Sequence, residues 1–181
     1  MGTVRIGAHV NGHPLNGVLD SDSDETFLDT QIAQRLGPWK QNNQSGSTLG
    51  RVESGTIGPL SFDLGSSISV ASKPRILPIG DHLPGVDFIL GFDALGQTPF
   101  TVDYSESLIR LGPVPHGPKT PFLPGRDTPS AQVSFLKLQI NAVVDTGAPA
   151  GLDVPISWIK SKLSSVQLGP SRPAKGSWPK I

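Results

Sequence analysis

Apolar residues fall on every second position at the start of the chain: Val4, Ile6, Ala8 and Val10, separated by Arg5, Gly7 and His9. A period of two predicts a strand buried on one face. Asn11-Gly12 follows, the dipeptide best suited to a two-residue hairpin turn. Leu15 to Leu19 is then the return strand, and it delivers Asp20 at its end. Thr26-Phe27-Leu28 reads as a short strand. Asp29 or Thr30 can cap a helix running to about Leu36, with Ile32 and Leu36 facing the core, Gly37 just past its end and Pro38 behind.

Residues 39–58 are polar and rich in Gly and Ser. They read either as a long surface loop or as a mobile hairpin around Leu49–Ile57 with its tip near Glu53-Ser54-Gly55. Alternation resumes at Leu60, Phe62 and Leu64, and again at Ile68 and Val70. Arg75 to Ile79 predicts a strand whose Pro78 implies an edge position or a strand end. Phe88-Ile89-Leu90 is apolar throughout, as expected of a strand covered on both faces. Gly91 would let another backbone pass close by, and Asp93 can cap a short helix near Ala94–Gly96. Phe100–Tyr104 and Leu108–Leu111 predict a closing hairpin turning through Ser105-Glu106-Ser107.

Six prolines between Gly112 and Ser130 break any regular element, so this stretch reads as an extended, semi-rigid linker. Strand patterning returns at Val133, Phe135 and Lys137 or Leu138. Val143-Val144 then leads into Asp145-Thr146-Gly147-Ala148, a buried strand ending in a tight turn that carries a carboxylate. Pro155 suits the first turn of a last helix with Ile156, Ile159 and Leu163 on one face.

Composition agrees with many short strands: 21 Gly and 18 Pro among 181 residues favour an all-β chain over a helical bundle. The formal net charge of zero gives no bulk attraction for nucleic acid or a membrane surface. With no Cys, disulfides and thiolate metal sites are excluded, and the four His lack zinc-type spacing, so neither a metal nor another cofactor is expected. No signal peptide and no membrane-spanning apolar run is seen, which makes a cytoplasmic location the default expectation.

The candidate chemistry lies in two matching contexts. Val18-Leu19-Asp20-Ser21 and Val143-Val144-Asp145-Thr146 each place a carboxylate and a small hydroxyl at a strand end. Paired carboxylates are a route to acid–base chemistry at one site. Thr146 could hold its turn by local hydrogen bonding, and Gly147 would let the backbone approach whatever Asp145 touches. Taken singly, Asp-Thr-Gly is also an ordinary turn. A different alternative is a Ca²⁺ loop using Asp20, Asp22 and Asp24, although Glu25 and Gln31 stand where an EF-hand loop needs Gly and Glu.

Laying Asp20 over Asp145 also puts Phe27-Leu28 over Leu152-Asp153, with an amphipathic helix after both, so the chain carries a partial internal repeat. Here it resembles the retropepsin-like aspartic proteases. Val143 to Ala148 matches that family's hydrophobic-hydrophobic-Asp-Thr-Gly-Ala motif, Val18 to Ser23 looks like a degenerate copy, and Ile89-Leu90-Gly91-Phe92-Asp93-Ala94-Leu95 looks like its hydrophobic-hydrophobic-Gly segment.

The resemblance implies an all-β acid-protease closed barrel with a second, incomplete repeat of the same lobe: lobe 1 over residues 1–112, a Pro-rich linker over 113–130 and a partial second lobe over 131–181. It implies an aspartic endopeptidase acting on a peptide or protein substrate. Asp20 and Asp145 would be the catalytic pair, Ser21, Thr146, Gly147 and Gly91 would support the loops, and Arg51, Val52, Glu53, Ser54 and Gly55 would belong to a substrate-binding flap. The chain departs from the family at Asp22, where the family has Gly, and in the second copy, which lacks a flap and an apolar-Gly strand. Two alternatives follow: a non-catalytic peptide-binding or dimerisation module, or a homodimer through lobe 1 in which Asp20 meets its own copy.

Overall fold

The structure is a computed structural model describing residues 4–42, 46–47, 50–51, 54–65, 67–103, 106, 108–113, 120–123, 127–135, 137–148 and 154–162. In chain order the elements are β1 (Arg5–Val10), β2 (His13–Leu19), β3 (Phe27–Asp29), α1 (Thr30–Leu36), β4 (Lys40–Asn42), β5 (Gly46–Ser47), β6 (Gly50–Arg51), β7 (Ser54–Thr56), β8 (Leu60–Asp63), β9 (Ser69–Ser72) and β10 (Arg75–Leu77). A 3-10 turn (Ile79–Asp81) follows, then β11 (Phe88–Leu90), α2 (Phe92–Leu95), β12 (Phe100–Asp103), β13 (Leu108–Leu111), β14 (Ser130–Phe135), β15 (Leu138–Val143) and α3 (Ile156–Lys162).

Nine strands form one mixed sheet in the order β4-β7-β10-β3-β11-β2-β1-β8-β9. It starts from the β1–β2 hairpin, where Asn11 and Gly12 take positive φ values of 50° and 79°, as a tight primed turn requires. Next to it β11 runs parallel to β2, with Phe88 opposite Gly17, Ile89 opposite Val18 and Leu90 opposite Leu19. A Cβ on Gly17 would enter the Phe88 ring, so the missing side chain sets how closely the two strands pack. Phe88 also meets Phe62 at a ring separation of 5.3 Å. Around them Val10, Leu19, Leu28, Ile76, Leu90 and Leu95 are fully buried. Burial of each large side chain contributes about 1.5–3 kcal/mol relative to leaving it in water.

Helix α1 has the expected bounds and caps. Asp29 accepts from the Gln31 N–H at 2.8 Å, and its other oxygen accepts from the Gly80 N–H at 2.8 Å, which ties the helix start to the 3-10 turn. Gly37 ends the helix at φ 144°. Helix α2 departs from expectation. It starts at Phe92, with Gly91 rather than Asp93 at the cap. The Asp93 carboxylate instead accepts from the Thr26 hydroxyl at 2.6 Å and the Ser72 hydroxyl at 2.5 Å, holding α2 against the residue before β3 and against the end of β9. Strand β10 lies inside the sheet, between β7 and β3, and Pro78 falls just past its end.

The polar stretch after α1 is a hairpin, but its turn is displaced from the expected place. Strand β4 pairs with β7 (Asn42 opposite Ser54), and β5 pairs with β6 (Ser47 opposite Gly50). The chain therefore reverses between Ser47 and Gly50, and Ser54 and Gly55 are buried at the base. Gly55 is there because a Cβ would run into the Trp39 indole and the Lys40 carbonyl.

The C-terminal part is thinner. Strands β14 and β15 form a hairpin of their own, and α3 reaches it through Trp158, whose ring lies 6.5 Å from that of Phe135. Phe122 packs edge-on to Phe92 of α2 at 6.5 Å. Val143 and Val144, expected to be buried, are 47% and 43% exposed, whereas their counterparts Val18 and Leu19 are 2% and 0% exposed. Val18 packs with Phe27, Leu77, Ile79, Val86 and Ile89, and Leu19 lies in the larger core cluster, whereas Val143 and Val144 are in neither, and among the described residues β15 pairs only with β14.

Candidate active site

Asp20 leaves the end of β2 in the centre of the sheet, and the loop after it is fastened to the apolar-Gly segment. The Asp20 N–H donates to the Leu90 carbonyl at 3.1 Å, the Phe92 N–H to the Ser23 carbonyl at 2.7 Å, and the Gly91 N–H to the Thr26 hydroxyl at 3.1 Å. Gly91 cannot carry a side chain, because its Cβ would overlap the Glu25 carbonyl group. The central strand and the segment behind it thus fix the direction in which Asp20 points.

Asp145 reaches the same place from β15. Its loop docks on the Asp20 loop through a reciprocal exchange between two buried hydroxyl residues. The Ser21 N–H donates to the Thr146 hydroxyl at 3.1 Å, and the Thr146 N–H donates to the Ser21 hydroxyl at 3.0 Å. The Ser21 hydroxyl in turn donates to the Val144 carbonyl at 2.5 Å. Each loop also holds its own carboxylate in the same way: Asp20 Oδ1 accepts from the Asp22 N–H at 3.2 Å, and Asp145 Oδ1 from the Gly147 N–H at 2.7 Å. The two loops thus repeat one pattern of bonds.

The carboxylates converge. The point that a Cβ on Gly147 would take is 3.0 Å from Asp20 Oδ1 and 3.2 Å from Asp145 Oδ1. Gly147 therefore makes room for Asp20 as well as for its neighbour in sequence. Burial, with the Asp145 charge second, pushes the Asp20 carboxyl up from 3.8 to about 6. The N–H groups of Asp22 and Ser23 pull the other way, and the Asp22 charge adds a smaller upward push. Asp20 in the folded chain so retains a proton at pH values where a free carboxylate has lost it.

Of the other sequence candidates, Ser54 and Gly55 lie at the hairpin base, Arg51 is in β6, and Val52 and Glu53 lie outside the described residues. Asp20, Asp22 and Asp24 do not converge as a calcium loop would need: among the described residues, no three His, Asp or Glu side chains are gathered for a metal. Two contributors escaped the sequence reading. The Val144 carbonyl is one, since backbone acceptors leave no trace in residue identity. Trp39 is the other, and its signal was a lone aromatic facing a Gly-rich stretch.

A pair of Asp loops locked by exchanged hydroxyl bonds, with an apolar-Gly strand behind the first, defines the retropepsin-like type of aspartic-protease fold. In sequence the chain is similar to DNA damage-inducible protein 1 of Kluyveromyces lactis, 26% identical over 141 residues, or 72% of this chain and 30% of that protein. It is similar to the same-named protein of Eremothecium gossypii, 26% identical over 134 residues, or 68% of this chain and 25% of that one. The chain thus spans less than a third of the length of these relatives. Among solved structures it is similar to the retroviral protease-like domain of Ddi1 from Leishmania major, with a TM-score of 0.45 and 13% identity over 63% of this chain and 91% of that one. No family model matches the chain. No helix among the described residues is long and apolar enough to cross a membrane.

Proposed function

We propose that the chain is an aspartic endopeptidase whose catalytic pair is Asp20 and Asp145 of one molecule. The observation that carries this reading is the Ser21–Thr146 exchange, which brings two carboxylates of different sequence origin to one point. Two carboxylates at one site are a route to acid–base chemistry, since like charges side by side favour keeping one of them protonated. The unprotonated oxygen draws a proton from a water as it attacks the peptide carbonyl, and the protonated oxygen supplies the leaving amine. A raised Asp20 keeps the donor loaded in mildly acidic solution. The β4–β7 hairpin is the element that would lie over an extended substrate and exclude bulk water. Docking within the chain also favours the Asp20–Asp145 pair over a homodimer joining two copies of Asp20.

A non-catalytic peptide-binding reading is supported by one specific feature, the uncovered Val143 and Val144 behind the second loop. The two readings are separated by hydrolysis of a peptide mixture at acidic and neutral pH, with and without pepstatin. The protease reading expects pepstatin-sensitive cleavage that disappears in both Asp20→Asn and Asp145→Asn. Cleavage that survives both substitutions rules out the pair, and cleavage lost in Asp20→Asn alone points to the homodimer.

A further inference from the structure

Thr26 closes the loop that begins at Asp20. It is fully buried, yet its one hydroxyl is used in both senses. The hydroxyl accepts from the Gly91 N–H at 3.1 Å and donates to the Asp93 carboxylate at 2.6 Å. A peptide N–H can only donate, so Gly91 occupies a lone pair of the oxygen and the carboxylate takes its proton. Donation to a charged acceptor makes the oxygen a better acceptor in turn. Leu90, Gly91 and Phe92 thus hold the loop at three points: the Asp20 N–H, the Thr26 hydroxyl and the Ser23 carbonyl. Of the three, only the middle one is made by a side chain, and Asp93 sets its direction. Docking of α2 does not rest on the Asp93 side chain alone. The Gln97 side chain, just past α2, pairs with both the N–H and the carbonyl of Ala71 in β9, at 3.1 and 2.6 Å, and Ala94 and Leu95 are fully buried.

We propose that Asp93 and Thr26 are positioning residues for the Asp20–Asp145 pair, an inference that rests on the protease reading of the site. Asp93 orients the Thr26 hydroxyl, the hydroxyl fixes Gly91, and the Asp20 loop is thereby held in place against the Asp145 loop. Such a relay acts on the geometry of the pair, so its loss should appear in kcat more than in KM.

The test compares Thr26→Val, Thr26→Ser, Asp93→Ala and Ser72→Ala on a peptide that the native chain cleaves, each at a temperature where urea unfolding shows it folded. Thr26→Val keeps the side-chain shape but strands the Gly91 N–H, and should lower kcat about 10- to 100-fold with KM within about 2-fold. Asp93→Ala should fall in the same direction, and Thr26→Ser, which restores the hydroxyl, should return to within about 3-fold of the native chain. Ser72→Ala loses the other bond to Asp93 but keeps the relay, and should retain the native kcat. Native kcat in folded Thr26→Val or Asp93→Ala overturns the assignment and leaves the protease reading intact. Equal losses in Ser72→Ala and Asp93→Ala overturn it too, since the effect is then only the seating of α2. If Thr26→Val does not fold, hydrogen exchange in the native chain decides: the Gly91 amide should exchange as slowly as the amides of β11, and fast exchange there overturns the relay. A native chain that cleaves no peptide refutes the protease reading and the positioning role with it.

Discussion

The hydroxyl exchange between the two loops can be weighed directly. Ser21→Ala removes the acceptor of the Thr146 N–H and the donor to the Val144 carbonyl, at a position that is fully buried. Leaving a buried N–H unmatched costs about 1–3 kcal/mol, and the lost bond to the carbonyl adds about 0.5–1.5 kcal/mol. The expected destabilisation is thus about 2–4 kcal/mol. Thr146→Val strands the Ser21 N–H in the same manner and should cost about 1–3 kcal/mol. The two changes are not independent, because both bonds hold the same pair of loops together. Once one is gone the loops separate and water reaches the other, so the double variant should lose about 1–2 kcal/mol less than the sum. Urea unfolding followed by tryptophan fluorescence measures all four corners of the cycle. Strict additivity, or single changes costing under about 0.5 kcal/mol, would refute the idea that this exchange is what docks Asp145 onto the N-terminal sheet.

Three further outcomes are expected. Asp20 binds its proton more tightly folded than unfolded, so its contribution to stability is complete below about pH 3.8 and is lost as pH rises through about 6. Its ceiling of roughly 3 kcal/mol is lowered to roughly 1–2 by solvent screening; urea midpoints measured across this range should fall with pH in the native chain and run flatter in Asp20→Asn. Gly91→Ala forces a Cβ into the Glu25 backbone and should cost about 3 kcal/mol or more in thermal unfolding, and a variant as stable as the native chain would show that the loop is not pinned there. Leu19→Ala should cost about 2–5 kcal/mol and Val144→Ala under about 1, and equal costs would mean that the two strand ends are equally well packed.

Much of the N-terminal sheet could be read from side-chain pattern, because its signals are local. Asn11-Gly12 names its own turn, Asp29 and Gly37 name the ends of α1, and the unbroken Phe88-Ile89-Leu90 run marks a strand with neighbours on both sides. The errors arose where a distant partner decided the outcome. Asp93 has the identity of a cap, but two hydroxyls from other elements compete for its oxygens. Val143 and Val144 have the identity of core residues, yet burial depends on a neighbouring strand, which no property of the pair itself reports. The hairpin turn moved because Gly55, taken as a tip residue, is glycine for close approach to Trp39. At the site, the likeness of the Asp20 and Asp145 loops was legible through the repeat, whereas the raised affinity of Asp20 for its proton depends on burial and on a neighbour 125 residues away in sequence, and so had to come from the fold.

Carrying both loops on one chain frees each from copying the other. In an assembly of identical subunits any change near the axis appears twice, so an aspartate in place of glycine would bring two extra charges against the pair. Here the change occurs once, at Asp22, while Gly147 keeps the opposite wall open. The two loops also differ at Ser21 and Thr146, and among the described residues β2 is flanked by the apolar strand β11 while β15 pairs only with β14. The two sides of the site are therefore not equivalent.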